Sequence, residues 1–172
     1  MPSLEELDAV RARGYRPQVV LCFVFEKRVL MGFVSEHALW QLPQGGIDNG
    51  ESILKALRRE TSEELGSAFA QAISSQCTYL GETKMAFPPQ TQGAKPLQTD
   101  AGVSVKMLGK KYFLVAIPVS HEPLLSQTSQ FDEILWVNHA GGIERAATIY
   151  QNGKRRVTEF TLHQLREAQL ID

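Results

Sequence analysis

The chain has 172 residues, 43% of them hydrophobic and 22% charged, with a formal net charge of −1. That is enough apolar material for a single domain spanning 1–172, and the near-neutral balance excludes a protein that holds nucleic acid by bulk positive charge alone. Two cysteines far apart in sequence, Cys22 and Cys77, argue against a disulfide scaffold or a zinc knuckle, and no apolar run is long enough to span a bilayer.

In chain order, "SLEELDAVRARG" predicts a short helix over 3–13, with Ser3 and Glu6 as a capping box and Gly14 as its stop. This N-terminus is acidic and lacks the apolar centre of a secretion signal, so the expected location is the cytoplasm, with no membrane partner. Pro17 to Val34 is rich in β-branched and aromatic residues, and "EKR" at its centre predicts a turn between two strands. "ALWQLP" predicts another short strand before a glycine-rich turn. "ESILKALRRETSEEL" carries Ile53, Leu54, Leu57 and Leu65 at mostly helical spacing, with Gly66 as the stop. "CTYLGETKMAF" reads as a strand and most of Pro88 to Gly109 as a long loop bordering a pocket. "KKYFLVAIPV" and "FDEILWV" read as strands around a loop at 120–130. "HAGGIERAAT" predicts a short helix, and "RRVTEFTLHQLREAQL" a longer one that closes the chain. Strands and helices do not alternate regularly, so the expected class is α+β, with helices on a mixed sheet.

The chemistry concentrates in Glu60, Glu63 and Glu64. At i, i+3 and i+4 these carboxylates share one helix face and repel each other. Taken alone, the triplet is either a solvated acidic face or a site for a hard cation, Mg²⁺ or Mn²⁺ rather than zinc. It does not stand alone. Gly45, then five residues, Glu51, then seven residues, Arg59-Glu60, and then Glu63-Glu64 and Gly66 fix seven positions together. At roughly 6% per residue type, such a match arises by chance on the order of once in a hundred million starting points or more rarely.

This pattern, from Gly45 to Ser67, resembles the box of the Nudix hydrolases. Every glycine and charged position agrees, while Thr61 and Ser67 stand where the family has bulky aliphatic residues. The resemblance implies the Nudix fold, a mixed sheet sandwiched between helices, and a pyrophosphohydrolase activity dependent on Mg²⁺ or Mn²⁺. It implies that Glu60, Glu63 and Glu64 bind the metal with a backbone carbonyl near Gly45, and that Glu63 or Glu64 acts as the catalytic base. Glu51 and Arg59 look like the family's structural ion pair, with Gly66 structural beside them.

"GYRP" and "WQLPQGGID" extend the likeness to the group of bacterial RNA pyrophosphohydrolases and dinucleoside polyphosphate hydrolases, over roughly Gly14 to Phe160. The implied substrate is a nucleoside polyphosphate, either a dinucleotide or the triphosphate 5′ end of RNA. Arg16 is the expected phosphate or nucleotide contact. Lys84, Lys106, Lys110 and Lys111 are candidates to ring the site, each also readable as a solvated lysine. Lys154, Arg155 and Arg156 form a basic run that could meet a polyphosphate, and Tyr150 could stack on a base or simply pack. Two departures stand out. A glutamate usual before the Phe of the "FDEILWV" strand is Gln130 here, leaving Asp132 or Glu133 as substitutes, and "MGFVSEH" lacks the arginines that RNA-cleaving members carry there. The alternative reading is a Nudix-fold regulatory module that binds a nucleotide without turnover. His37, His121, His139 and His163 have no metal-ligand spacing.

Overall fold

Eight consecutive positions from Pro17 to Val24 are buried in β1 (Tyr15–Phe25), as befits a strand covered on both faces. The computed structural model describes residues 1–73, 76–127 and 129–172. Before β1 lies α1 (Leu4–Ala12), whose capping box between Ser3 and Glu6 is formed. The turn after β1 puts two non-glycine residues, Glu26 and Lys27, at φ 45° and 61°. The chain's C-terminus holds that turn: the Asp172 amide donates to the Lys27 carbonyl over 3.1 Å. It delivers β2 (Arg28–Val34) antiparallel to β1, followed by β3 (Leu39–Gln41) and β4 (Gln44–Gly46).

Ser52 caps α2 (Ile53–Glu64), which stops before Gly66 at φ 99°. A helix α3 (Ser67–Ala72) follows at once. No helix is expected there from the sequence, because the stretch is too short to display a helical period. Then come β5 (Thr78–Ala86), β6 (Pro96–Gln98), β7 (Ser104–Lys106), β8 (Gly109–Pro118), β9 (Glu133–Val137), α4 (His139–Ala147) and α5 (Asn152–Glu167). The loop expected over 120–130 has no helix or strand among its described residues, and residue 128 lies outside them.

The long loop expected between Pro88 and Gly109 needs correction. It contains a hairpin, with Pro96↔Lys106 and Gln98↔Ser104 paired and Gly102 at φ 78° in its turn. "TDAG" is a legible turn signal, but three-residue strands leave no alternation to read.

One sheet has the strand order β3-β2-β1-β8-β5, with β4 added to β1 and β9 to β2. β1 and β8 run parallel through ten pairs, from Tyr15↔Gly109 to Val24↔Pro118, and the other pairings in this sheet are antiparallel. Val19, Leu21 and Phe23 pack with α1, α2 and α3 on one face; Val20, Cys22 and Val24 pack with α4 and α5 on the other. This is the mixed sheet between helices that the sequence predicts. Among the described residues no helix is long and apolar enough to cross a membrane.

Candidate active site

Helix α2 is anchored by Ile53, Ala56, Leu57 and Leu65, all buried. That anchoring turns Glu60 and Glu64 inward toward β4 and leaves Glu63 on the outer flank, with 59% of its side chain exposed. β4 is made thin to receive them. A Cβ on Gly45 would lie 1.8 Å from the Glu60 carboxyl carbon, so only glycine fits there. A Cβ on Gly46, pointing to the opposite face, would lie 2.5 Å from Arg16 Nη2. Two consecutive glycines thus bring a carboxylate and a guanidinium against opposite faces of one strand.

Register decides which carbonyls are exposed. Val19 lies opposite Gly45, Leu21 N donates to the Pro43 carbonyl, and Ile47 N donates to the Pro17 carbonyl. Alternation then turns the Gly45 N–H and C=O toward β1. The outward carbonyls are those of Gln44 and Gly46, and the latter accepts from Arg59 Nη2 over 2.7 Å. The backbone oxygen near Gly45 that remains open to a cation is therefore Gln44's.

Arg59 is the brace. Its Nε and Nη2 grip both oxygens of Glu51 at 3.0 and 2.8 Å, and its Nη1 reaches Glu60 at 2.7 Å and Glu63 at 3.4 Å. Glu51 in turn accepts from the Asp48 amide over 2.9 Å, tying loop to helix. Burial pulls the Glu51 carboxyl up, but Arg59 and the Asp48 amide outweigh it and hold it below the usual range. Glu64 behaves oppositely. Burial, aided by the charges of Glu60 and Glu63, pushes it up to about 8, against bonds from the Gln44 amide (3.0 Å) and the Gln130 side chain. Gln130 is thus in direct contact with Glu64, while Asp132 caps the Ser35 amide at 2.8 Å, away from it. Among the described residues no three acidic, histidine or cysteine side chains are gathered into a metal cage. The carboxylate oxygens of Glu60 and Glu63 face the Arg59 guanidinium instead. The donor set remains all oxygen, suited to a hard divalent ion.

Strand alternation sorts the expected cations. Arg16 and Lys110 fall on the α4/α5 face, where Lys154 of α5 joins them. Burial, then the charges of Arg16 and Lys154, lower the Lys110 ammonium, and burial lowers Lys154. Among the described residues none of the three has a carboxylate partner. Lys84 and Lys111 are cross-strand neighbours on the α1 face. Lys84 lies over the Tyr15 ring at 5.6 Å, and Lys111 pairs with Glu82 at 2.5 Å, so neither is brought to Arg16. Tyr150 is 65% exposed between α4 and α5, bonded through its hydroxyl to Gln151. Arg155 bonds Asn152, and Lys106 lies along Gly93. His139 begins α4 and meets His163 of α5 at 3.0 Å.

Sequence reasoning missed one residue outright. Arg11, 2% exposed, reaches from α1 to the glycine loop and donates to the carbonyls of Ile47 (3.0 Å) and Asp48 (2.7 Å) and to Asp100 (3.2 Å). Asp100 also accepts from Asn49 Nδ2 (2.8 Å) and the Gly50 amide (3.2 Å). No local pattern announces a contact spanning 89 positions.

Comparison with known proteins agrees with the fold. The family model for the NUDIX domain matches residues 15–159. An RNA pyrophosphohydrolase from Legionella pneumophila is 31% identical over 135 residues, 73% of this chain and 70% of that protein. The Ap4A hydrolase of C. elegans superposes with a TM-score of 0.54 at 17% identity, covering 90% and 97% of the two chains. The NUDIX domain of Shewanella oneidensis NrtR, solved with ADP ribose, gives 0.59 at 15% identity over 98% and 99%. With the glycine strand, the Glu51–Arg59 brace and the three helix carboxylates all in place, the chain belongs to the NUDIX family of hydrolases.

Proposed function

We propose that this enzyme is a divalent-cation-dependent pyrophosphohydrolase of nucleoside polyphosphates, acting in the cytoplasm on dinucleoside polyphosphates or on triphosphate 5′ ends of RNA. The observation that carries the reading is the two-sided glycine strand, with Glu60 against Gly45 and Arg16 against Gly46. A diphosphate lying along the free edge of β4 meets acids from one side. From the other it meets Arg16, Lys110 and Lys154, three cations left without acidic partners among the described residues. Such a set suits a polyanion. The Legionella relative, named an RNA pyrophosphohydrolase, supports the RNA end as substrate.

Glu60, Glu63, Glu64 and the Gln44 carbonyl would hold the ion, Mg²⁺ or Mn²⁺. The bound ion would neutralise phosphoryl oxygens and acidify water. The residues do the rest. Arg16, Lys110 and Lys154 draw the phosphates to the strand edge. Glu64, buried and held by the Gln44 amide and the Gln130 side chain, is the carboxylate fixed in place to take the proton. Water attacks one phosphorus, its proton passes to the base, and the bridging P–O bond breaks with its electron pair on the departing phosphate. Lys84, Lys111 and Tyr150 have no part in this proposal, since their contacts lie elsewhere.

Gln130 favours a second reading, a nucleotide-binding module without turnover, because an amide rather than a carboxylate meets Glu64. One assay separates the two. With Mg²⁺, the protein is offered diadenosine tetraphosphate and a short 5′-triphosphorylated RNA, and products are followed by chromatography. Turnover of either, lost by at least a thousandfold in Glu64→Gln with the fold intact, supports the hydrolase. Tight binding with no product over hours would overturn it, and Gln130→Glu would then be the variant to assay.

A further inference from the structure

The segment between β5 and β8 forms a wall beside Arg16. The Phe87 amide donates to the Leu108 carbonyl (2.8 Å), the Gly93 amide to the Met107 carbonyl (2.8 Å), and the Leu108 amide to the Gly14 carbonyl (2.7 Å). The tip of the β6–β7 hairpin is fastened as well. Asp100 is held by Arg11, Asn49 and Gly50, its own amide donates to Asp8 at 2.6 Å, and Asn49 Nδ2 also reaches the Gln98 carbonyl at 3.1 Å. The wall borders an open cavity of about 350 Å³. A second, of about 330 Å³, shares Arg16, Lys95 and Met107 with it and runs on to the glycine loop at Asp48 and Asn49.

Two kinds of residue line the first cavity. Arg16, Lys95 and Lys110 supply positive charge and no acidic residue lines it, while Phe87 and Met107, both half-buried, supply apolar surface beside Thr91 and Ala94. A ligand matched to it combines negative charge with a flat apolar body. Arg16 also meets Gly46, one residue along β4 from Gly45 and the Glu60 carboxylate.

We propose that this groove is the nucleoside subsite: the base packs between Phe87 and Met107, and its 5′ phosphates pass Arg16 and Lys110 to the edge of β4. Size and lining fit a small-ligand site, with apolar walls and a few convergent polar groups, and an aromatic face accepts any base by stacking. The inference rests on the hydrolase reading for the direction of the phosphates but is tested without turnover.

Calorimetric titration with ADP and, separately, with inorganic tripolyphosphate isolates the base. In Phe87→Ala the ADP affinity is expected to fall tenfold or more, while tripolyphosphate stays within twofold. Ala94→Trp, which fills the cavity from an exposed position without deleting any packed side chain, is expected to do the same and stands in if Phe87→Ala does not fold. Equal losses for both ligands, or unchanged ADP binding in both variants, overturns the groove as a nucleoside site, as does a wild type that does not bind ADP. Turnover that survives unchanged in these variants leaves the hydrolase standing and removes the groove. ADP binding that depends on Phe87 without any turnover does the reverse.

Discussion

Gly45 shows how little freedom single positions have here. Its missing side chain is the space that the Glu60 carboxylate occupies. Gly45→Ala is expected to displace Glu60, costing about 1–3 kcal/mol of stability and on the order of a hundredfold in turnover, since a misplacement of about 1 Å has that effect; urea unfolding and steady-state kinetics measure both. Thr61 presents the converse. It is fully buried, and its hydroxyl has no hydrogen-bond partner among the described residues. Thr61→Val keeps the shape and removes the orphaned group, so a gain of about 1 kcal/mol is expected in the same unfolding experiment. Glu64 makes stability depend on pH. Its carboxyl titrates near 8 in the fold and near the ordinary 4.5 when unfolded. Between those values the native state binds the extra proton, so the folded protein, stripped of divalent ions, loses stability as pH rises from about 5 to 8. Glu64→Gln should flatten that slope in thermal melts taken across the window. A slope unchanged by the substitution would mean that another group titrates there.

Among the elements, α1 and the β6–β7 hairpin grip the glycine loop between them. Arg11→Ala strips partners from the Ile47 and Asp48 carbonyls and from Asp100 at once, and a loss of about 3 kcal/mol is expected. Arg11→Lys should recover only part of it, because one ammonium cannot fork to three acceptors. Leu7→Ala serves as the comparison, since Leu7 packs α1 into the core and, being apolar, bonds none of the loop's carbonyls. At matched loss of melting temperature, Mg²⁺ affinity should weaken more in Arg11→Ala than in Leu7→Ala. Much of this level was legible in the sequence. The cap Ser3, the stop at Gly66 and the carboxylates spaced along α2 are local signals, and locally they decide the structure. Arg11 was not legible, because its partners lie 36 to 89 positions away. Lys110 and Lys111 are an intermediate case. They are chemically alike, and only the alternation of β8 sends one to Arg16 and the other to Glu82. Strand period contains that distinction, but which face holds the site does not follow from sequence alone.

For the whole molecule, the sheet separates the two kinds of charge that a phosphoanhydride hydrolase needs. Glu60 and Glu64 arrive from the α1–α3 side, braced there by Arg59, and the cations without acidic partners among the described residues, Arg16, Lys110 and Lys154, from the α4/α5 side; the two sets face each other across β4. Because Glu64 is raised to about 8, a divalent ion that it helps to bind must displace a proton. Apparent Mg²⁺ affinity should therefore rise about tenfold per pH unit below that value, and calorimetry in buffers of different ionisation enthalpy should count roughly one proton released.

The ten-pair parallel ladder between β1 and β8 also places the site in time. β1 gains that neighbour only when residues 109–118 exist, and the bonds that fix Asn49 and Gly50 of the glycine loop form only once Asp100 does. A nascent chain that has reached residue 95 already carries Glu60, Glu63 and Glu64 and the full glycine turn. It lacks the strand and the clasp that hold them in register, so it has the chemistry without the geometry. Catalytic competence therefore comes no earlier than the hairpin and β8 have left the ribosome.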